Sequence, residues 1–261
     1  MLITINQPDD PRIAPFMNVR DRDLNDGHGG RFVAEGESVL NVLMAQRRYQ
    51  VEALLVAENR VETVEALAPA DDLPVYVAAQ QVMDAIVGFP IHRGLLGVGW
   101  RGNLPTASAL LASAPPLVVG LVGIANHDNM GGIFRNAAAF GAGALLLDDT
   151  CCDPFYRKAL RVSVGGVLKV PFARAGSAEA MIATLTAAGY RPLGLTPRGT
   201  LRLDQVPRDG RSALILGTEG PGLPTAVLDV LTGVRIDMAG GFDSLNVATT
   251  SGIALYELSR R

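Results

Sequence analysis

The chain has 261 residues, enough for one large domain or two small ones, each with a buried core. Hydrophobic residues make up 48% and charged residues 19%, which excludes a disordered chain. The net charge is −3, with 9 Lys and Arg against 14 Asp and Glu in residues 1–113 and 14 against 12 in residues 114–261, so charge alone does not mark a nucleic-acid binder.

The first twenty-odd residues are polar, contain Pro8, Pro11 and Pro15, and are expected to run extended across a surface. Asn6, Gln7, Asp9 and Asp10 interrupt any apolar run there, so no signal peptide is read. From Gly30 a β–α alternation begins. Strands are expected at Arg31–Ala34, Val51–Val56, Leu73–Val77 and the glycine-rich Gly94–Trp100. Helices are expected at Glu37–Arg48, with Val39, Leu40, Leu43 and Met44 inward, at Val61–Ala68 and at Ala79–Val87. Thr106–Pro116, rich in Ala, Ser and Pro, reads as a boundary, either a short helix or a linker. The most apolar stretch, Leu104–Ile124, holds Pro105, Pro115 and Pro116 and is not a membrane span; a soluble cytoplasmic protein is expected.

A second alternation starts with the apolar strand Leu117–Gly123, followed by a helix over Asn129–Phe140 and a strand over Ala144–Leu147. Helices at Phe155–Ser163 and Ala178–Ala188 precede strands at Arg191–Leu195 and Ala213–Leu216. A helix at Thr225–Leu231, a strand at Val234–Ile236 and a terminal helix at Val247–Leu258 complete the chain. Apolar strands separated by helices predict an α/β fold with a mostly parallel sheet covered on both faces. The two cysteines, Cys151 and Cys152, are adjacent, make poor disulfide partners and lack His or Cys neighbours at metal-ligand spacing, so no metal site is expected.

Three segments sit where strands end, which is where open α/β sheets place ligands. The first, Asn126-His127-Asp128-Asn129-Met130-Gly131-Gly132-Ile133-Phe134-Arg135-Asn136, opens a helix. Asn129 is read either as the helix cap or as a site residue, and Arg135 either as a partner of a surface carboxylate or as a functional cation. The second, Gly217-Thr218-Glu219-Gly220-Pro221-Gly222, lets backbone approach a ligand but matches neither a dinucleotide nor a P-loop pattern. The third runs from Ile236-Asp237-Met238 to Ser244-Leu245-Asn246-Val247; Ser244 and Asn246 are both good helix caps.

In this order the three segments resemble the signature motifs of the SpoU (TrmH-like) family of RNA ribose 2′-O-methyltransferases, over residues 117–258. His127 stands where many members carry proline, Asn136 where they often carry threonine, and Asp237 replaces a usual proline. The resemblance implies a knotted domain of the SPOUT class at 117–261, a linker at 106–116, and at 1–105 an N-terminal extension with a small ribosomal-protein-like α/β domain that binds the RNA substrate. It further implies a homodimer and S-adenosylmethionine as cofactor. Asn129, Arg135, Glu219, Ser244 and Asn246 would form the catalytic cluster, with Leu195, Thr196, Gly217, Glu219, Gly220, Ile236, Met238 and Leu245 at the cofactor. Asp153-Pro154-Phe155-Tyr156-Arg157-Lys158 matches the connecting stretch of the family, and Arg157, Lys158 and Arg161 are candidate contacts to RNA phosphates or, alternatively, a solvated helix face.

Ribosomal RNA is the expected substrate, with transfer RNA as the alternative. Two rivals are a non-catalytic RNA-binding protein of the same fold and a nucleotide-dependent dehydrogenase, the latter lacking its G-x-G-x-x-G.

Overall fold

The computed structural model describes residues 2–17, 30–88, 91, 93–240 and 244–260. In chain order the strands are β1 (Leu2–Ile5), β2 (Arg31–Glu35), β3 (Gln50–Ala57), β4 (Val75–Ala78), β5 (Leu95–Trp100), β6 (Leu117–Leu121), β7 (Ala144–Leu147), β8 (Phe172–Arg174), β9 (Tyr190–Leu195), β10 (Leu201–Arg202), β11 (Arg211–Leu216) and β12 (Thr232–Arg235). The helices are α1 (Glu37–Ala45), α2 (Val61–Glu65), α3 (Gln80–Val87), α4 (Ala107–Leu111), α5 (His127–Ala139), α6 (Arg157–Val162), α7 (Gly166–Lys169), α8 (Ala178–Ala187), α9 (Thr225–Leu228) and α10 (Val247–Ser259). They divide into two compact units, one of Met1–Asn103 with Phe155–Lys169 and one of Leu104–Pro154 with Val170–Arg261.

The first unit is built on a five-stranded sheet in the order β1-β4-β3-β5-β2. Strands β1, β4 and β3 are parallel, and β5 runs antiparallel to both β3 and β2. The N-terminal residues run extended over the edge strand β1 but not over Pro11–Phe16. Leu2–Ile5 pairs in register with β4, and a 3₁₀ helix over Pro11–Phe16 buries Ile13 and Phe16 completely. The reason is periodicity: two apolar residues three apart share one face of a 3₁₀ turn, and Pro11 costs nothing at its first position. The part of the extended segment at 18–29 lies outside the described residues.

Sequence pattern runs the second domain without interruption from 117 to 261, whereas Phe155–Lys169 packs with the first unit. There the Phe155 ring stacks on Phe32 at 5.0 Å and meets Tyr49 edge-on at 5.4 Å. These contacts join residues more than a hundred positions apart, so no local pattern announces them. The expected helix over Phe155–Ser163 is the shorter α6, followed by α7. Helix α1 also stops early, at Ala45, because the Gln46 side chain donates to the Leu43 and Tyr49 carbonyls and accepts from the Arg48 and Tyr49 amides.

The second unit carries a seven-stranded sheet, β10-β12-β9-β11-β6-β7-β8, in which every paired neighbour is parallel. Strands β6 and β7 are apolar throughout, with all five and all four of their residues buried. Strands β8 and β10 have only three and two residues, too short to read from sequence. The stretch 106–116 contains the short helix α4, capped by the Thr106 hydroxyl, which accepts from the Ala109 amide. Among the described residues no helix is long and apolar enough to cross a membrane.

Candidate active site

Strands β12, β9, β11 and β6 are consecutive in the sheet and parallel, so their carboxyl ends share one edge. The loops leaving that edge are 236–238, 195–200, 217–224 and 122–126, which bring together all three sequence motifs. A crevice outside the carboxyl ends of parallel strands is the general ligand site of such folds.

The first motif forms the head of α5. Its cap is Asn126, whose side-chain oxygen accepts from the Asp128 amide at 2.8 Å and the Asn129 amide at 3.2 Å. Asn129 is therefore not the cap. It lies inside the first turn, 6% exposed, and its side-chain oxygen accepts from Asn246 Nδ2 at 2.9 Å. Asn246 in turn caps α10, its Oδ1 accepting from the Ala248 and Thr249 amides at 2.9 and 3.2 Å. Its Nδ2 also donates to Glu219 Oε1. Capping and membership of the cluster were alternatives in the sequence; the two ends of one carboxamide do both.

The two helices that carry this pair cross closely. A Cβ on Gly132 would lie 2.6 Å from the Ala248 Cβ, and one on Gly252 would lie 3.2 Å from the Asn136 amide nitrogen. Asn136 Nδ2 donates to the Ala248 carbonyl at 2.7 Å and to Ser251 Oγ at 2.9 Å. This polar clamp was not legible as functional in the sequence. Its only signal is the spacing: Asn129, Gly132 and Asn136 fall on one helical face.

Arg135 is exposed on the flank of the same helix, and no carboxylate among the described residues pairs with it. Glu219 grips Asn246 and not Arg135. Ser244 is exposed in the loop before α10.

The residues expected at a cofactor line the same edge. Gly217 is buried at the end of β11, where a Cβ would meet the Gly222 and Leu223 backbone at 2.5 Å, and the loop closes through a bridge between Thr218 and Gly222. Gly220 and Gly222, at φ +85° and +70°, have open space where a side chain would be. Leu195, Thr196, Ile236 and Met238 are half-buried, and Leu245 is 44% exposed, an unusual position for leucine. A bare backbone edge beside half-covered apolar side chains fits a nucleoside-containing cofactor such as S-adenosylmethionine. Asp237 accepts from Arg235 at 2.9 Å and faces Arg202 at 3.3 Å, while Arg235 also donates to the Gly199 and Thr200 carbonyls. The loops after β9 and β12 are thereby tied together.

The candidate RNA contacts lie in the first unit. Arg157 donates to the buried Glu35 at 2.6 Å with its side chain only 13% exposed, and Arg161 approaches the same carboxylate at 3.4 Å. Arg157 and Arg161 thus share one carboxylate within their own unit. Arg161 and Lys158 are half-buried.

Residues 116–256 match the SpoU rRNA Methylase family. An uncharacterised tRNA/rRNA methyltransferase of Mycobacterium tuberculosis is 38% identical over 97% of this chain and 90% of its own length. An AdoMet-bound rRNA methyltransferase from Sinorhizobium meliloti shares the fold, with TM-score 0.82 and 24% identity over 99% of this chain and 98% of that one. A solved structure concerned with 2-OH methylation of C/U34 on tRNA covers 55% of this chain and 94% of its own, at 29% identity and TM-score 0.51.

Proposed function

The chain belongs to the SpoU rRNA methylase family, and from that membership we propose that it uses S-adenosylmethionine to methylate a ribose 2′-hydroxyl of RNA. The observation that carries the reading is the Asn246 carboxamide, which caps one helix and holds Asn129 and Glu219 together, on the helix pair that also carries the exposed Arg135. A 2′-hydroxyl is a weak nucleophile, and holding it in line with an electrophilic methyl accounts for much of the barrier reduction. When bound, the cofactor supplies that methyl group on a sulfonium centre.

The residues of the chain do the rest. Arg135 is a fixed cation for the substrate phosphate and for charge developing on the ribose oxygen. We assign it the role of electrostatic anchor, because arginine is in general a poor proton acceptor; general base is the alternative role. Asn129 and Ser244 orient the ribose by hydrogen bonds, Asn246 contributes by holding Asn129 in place, and Glu219 fixes Asn246. Thr196, Gly217, Glu219 and Gly220 present polar and backbone groups to the cofactor, with Leu195, Ile236, Met238 and Leu245 as its apolar walls. Lys158 and Arg161 are the phosphate contacts outside the second unit.

The same reading makes residues 117–261 a trefoil-knotted catalytic domain, 106–116 a linker and 1–105 the RNA-binding part. It also makes the molecule a homodimer, whose interface would cover Ile253 and Tyr256, 40% and 53% exposed on α10. Ribosomal RNA is the substrate we favour, in keeping with the SpoU rRNA methylase family. Transfer RNA is the second reading, favoured by the neighbour described for position 34 of tRNA.

Incubation with labelled S-adenosylmethionine and total RNA from a strain lacking the gene, followed by sizing, tests the choice. Label in large RNA supports the ribosomal reading and label in small RNA the transfer-RNA reading. No label together with no cofactor binding by calorimetry would put a non-catalytic RNA-binding protein in their place.

A further inference from the structure

The adjacent cysteines and a buried aspartate at the end of β7 take no part in the site as described, yet they border its first loop. Asp148 is 5% exposed. Both of its carboxylate oxygens accept from the Gly123 amide at 3.1 Å, and they also take the Thr150 amide, the Thr150 hydroxyl and the Cys151 amide at 2.9 to 3.1 Å. Cys151 Sγ accepts from the Ile124 amide at 3.3 Å and donates to the Leu121 carbonyl at 3.4 Å. The Cys152 amide donates to the Ile124 carbonyl at 2.9 Å. Arg174 closes the bracket from below, donating to the Asp148 and Cys151 carbonyls at 2.8 Å.

What the bracket holds is the short link between β6 and the Asn126 cap of α5. Gly123 has φ +68°, and a Cβ there would lie 2.6 Å from Thr218 Cγ2. The link is therefore pressed against the loop that carries Glu219. A fully satisfied buried polar network of this kind fixes one backbone arrangement.

We propose that Asp148 and Cys151 are positioning residues for methyl transfer, setting loop 122–125 so that the head of α5 presents Asn129 to Asn246, and through it to Glu219, in the productive arrangement. The proposal rests on the methyltransferase reading above. Burial pushes the Cys151 thiol up to about 12, so it stays protonated and keeps both its donor and its acceptor. The Cys151 thiol is thus a structural fastener of this link.

The test compares Asp148→Asn, Cys151→Ala and Cys151→Ser with wild type in kcat, KM for S-adenosylmethionine and amide exchange at Gly123 and Ile124. In Asp148→Asn the new amide nitrogen faces backbone donors. We expect kcat to fall between about tenfold and a hundredfold, with KM within about threefold, since small displacements of reacting groups cost that much. Exchange at Gly123 and Ile124 should accelerate while exchange at Leu193 in β9 does not. Cys151→Ala should lose activity that Cys151→Ser, which keeps a donor and an acceptor, restores. A folded Asp148→Asn with wild-type kcat, or acceleration of exchange throughout the second unit, overturns the proposal. Absence of transfer by wild type would defeat the methyltransferase reading instead, and unaltered exchange at Gly123 and Ile124 would then overturn the bracket independently.

Discussion

At the scale of single residues, the site is organised by Asn246. Its oxygen serves two backbone amides and its nitrogen two side chains, so the residue has no spare hydrogen-bonding capacity. Asn246→Asp separates the two duties. Aspartate caps a helix about as well as asparagine, so stability should change by less than about 1 kcal/mol. The donor to Asn129 and Glu219 is lost, and a second carboxylate is placed against Glu219. Methyl transfer should fall by roughly a hundredfold or more, the size expected when one oriented donor is removed. Melting curves and kcat on the same preparation check both halves. The motif residues were legible in the sequence as a set, but their division of labour was not. Asn126 and Asn129 are three apart in one helix entry, and only the backbone shows that the first is the cap. Asp148 gave no signal, because the contact that ties it to the site is the backbone amide of Gly123 in a distant loop.

At the scale of elements, α5 and α10 are the pieces that bring the first and third motifs together. Gly132 faces Ala248 with no room for a side chain. Gly132→Val should therefore force the helices apart and cost about 2 kcal/mol, the usual penalty for overfilling a packed contact. A lowered thermal midpoint, with a larger loss of transfer than of cofactor binding, is the expected result. Helix and strand positions around the motifs were readable because apolar periodicity survives there. Boundaries moved where a side chain ends an element, as Gln46 does for α1. The N-terminal segment was partly misread because its polar residues and prolines outnumber Ile13 and Phe16, which nonetheless decide where it goes. Very short edge strands such as β10 carry too few residues to show any period.

At the scale of the whole molecule, the parallel sheet of the second unit gathers loops that are far apart in sequence. Leu195 and Met238 come from strands that neighbour one another, and the glycine loop after β11 lies beside the head of α5. The division into units was only partly legible: Phe155–Lys169 belongs by its contacts to the first unit, through Phe155 on Phe32 and Arg157 on Glu35. The proposed homodimer has its own test. Ile253→Glu places a charge on the exposed apolar stripe of α10 and should yield monomers in sedimentation equilibrium, with activity falling alongside. A variant that stays dimeric, or a wild type that sediments as a monomer, would remove the dimer from the account.

We propose that Arg135 serves transfer to a ribose hydroxyl and not cofactor binding. Wild type and Arg135→Ala should be compared for S-adenosylmethionine binding by calorimetry and for alkali-resistant methylated dinucleotides in the RNA product. The account predicts equal binding, resistant dinucleotides from wild type and none from the variant. Label on a base, or transfer by Arg135→Ala at the wild-type rate, would contradict it.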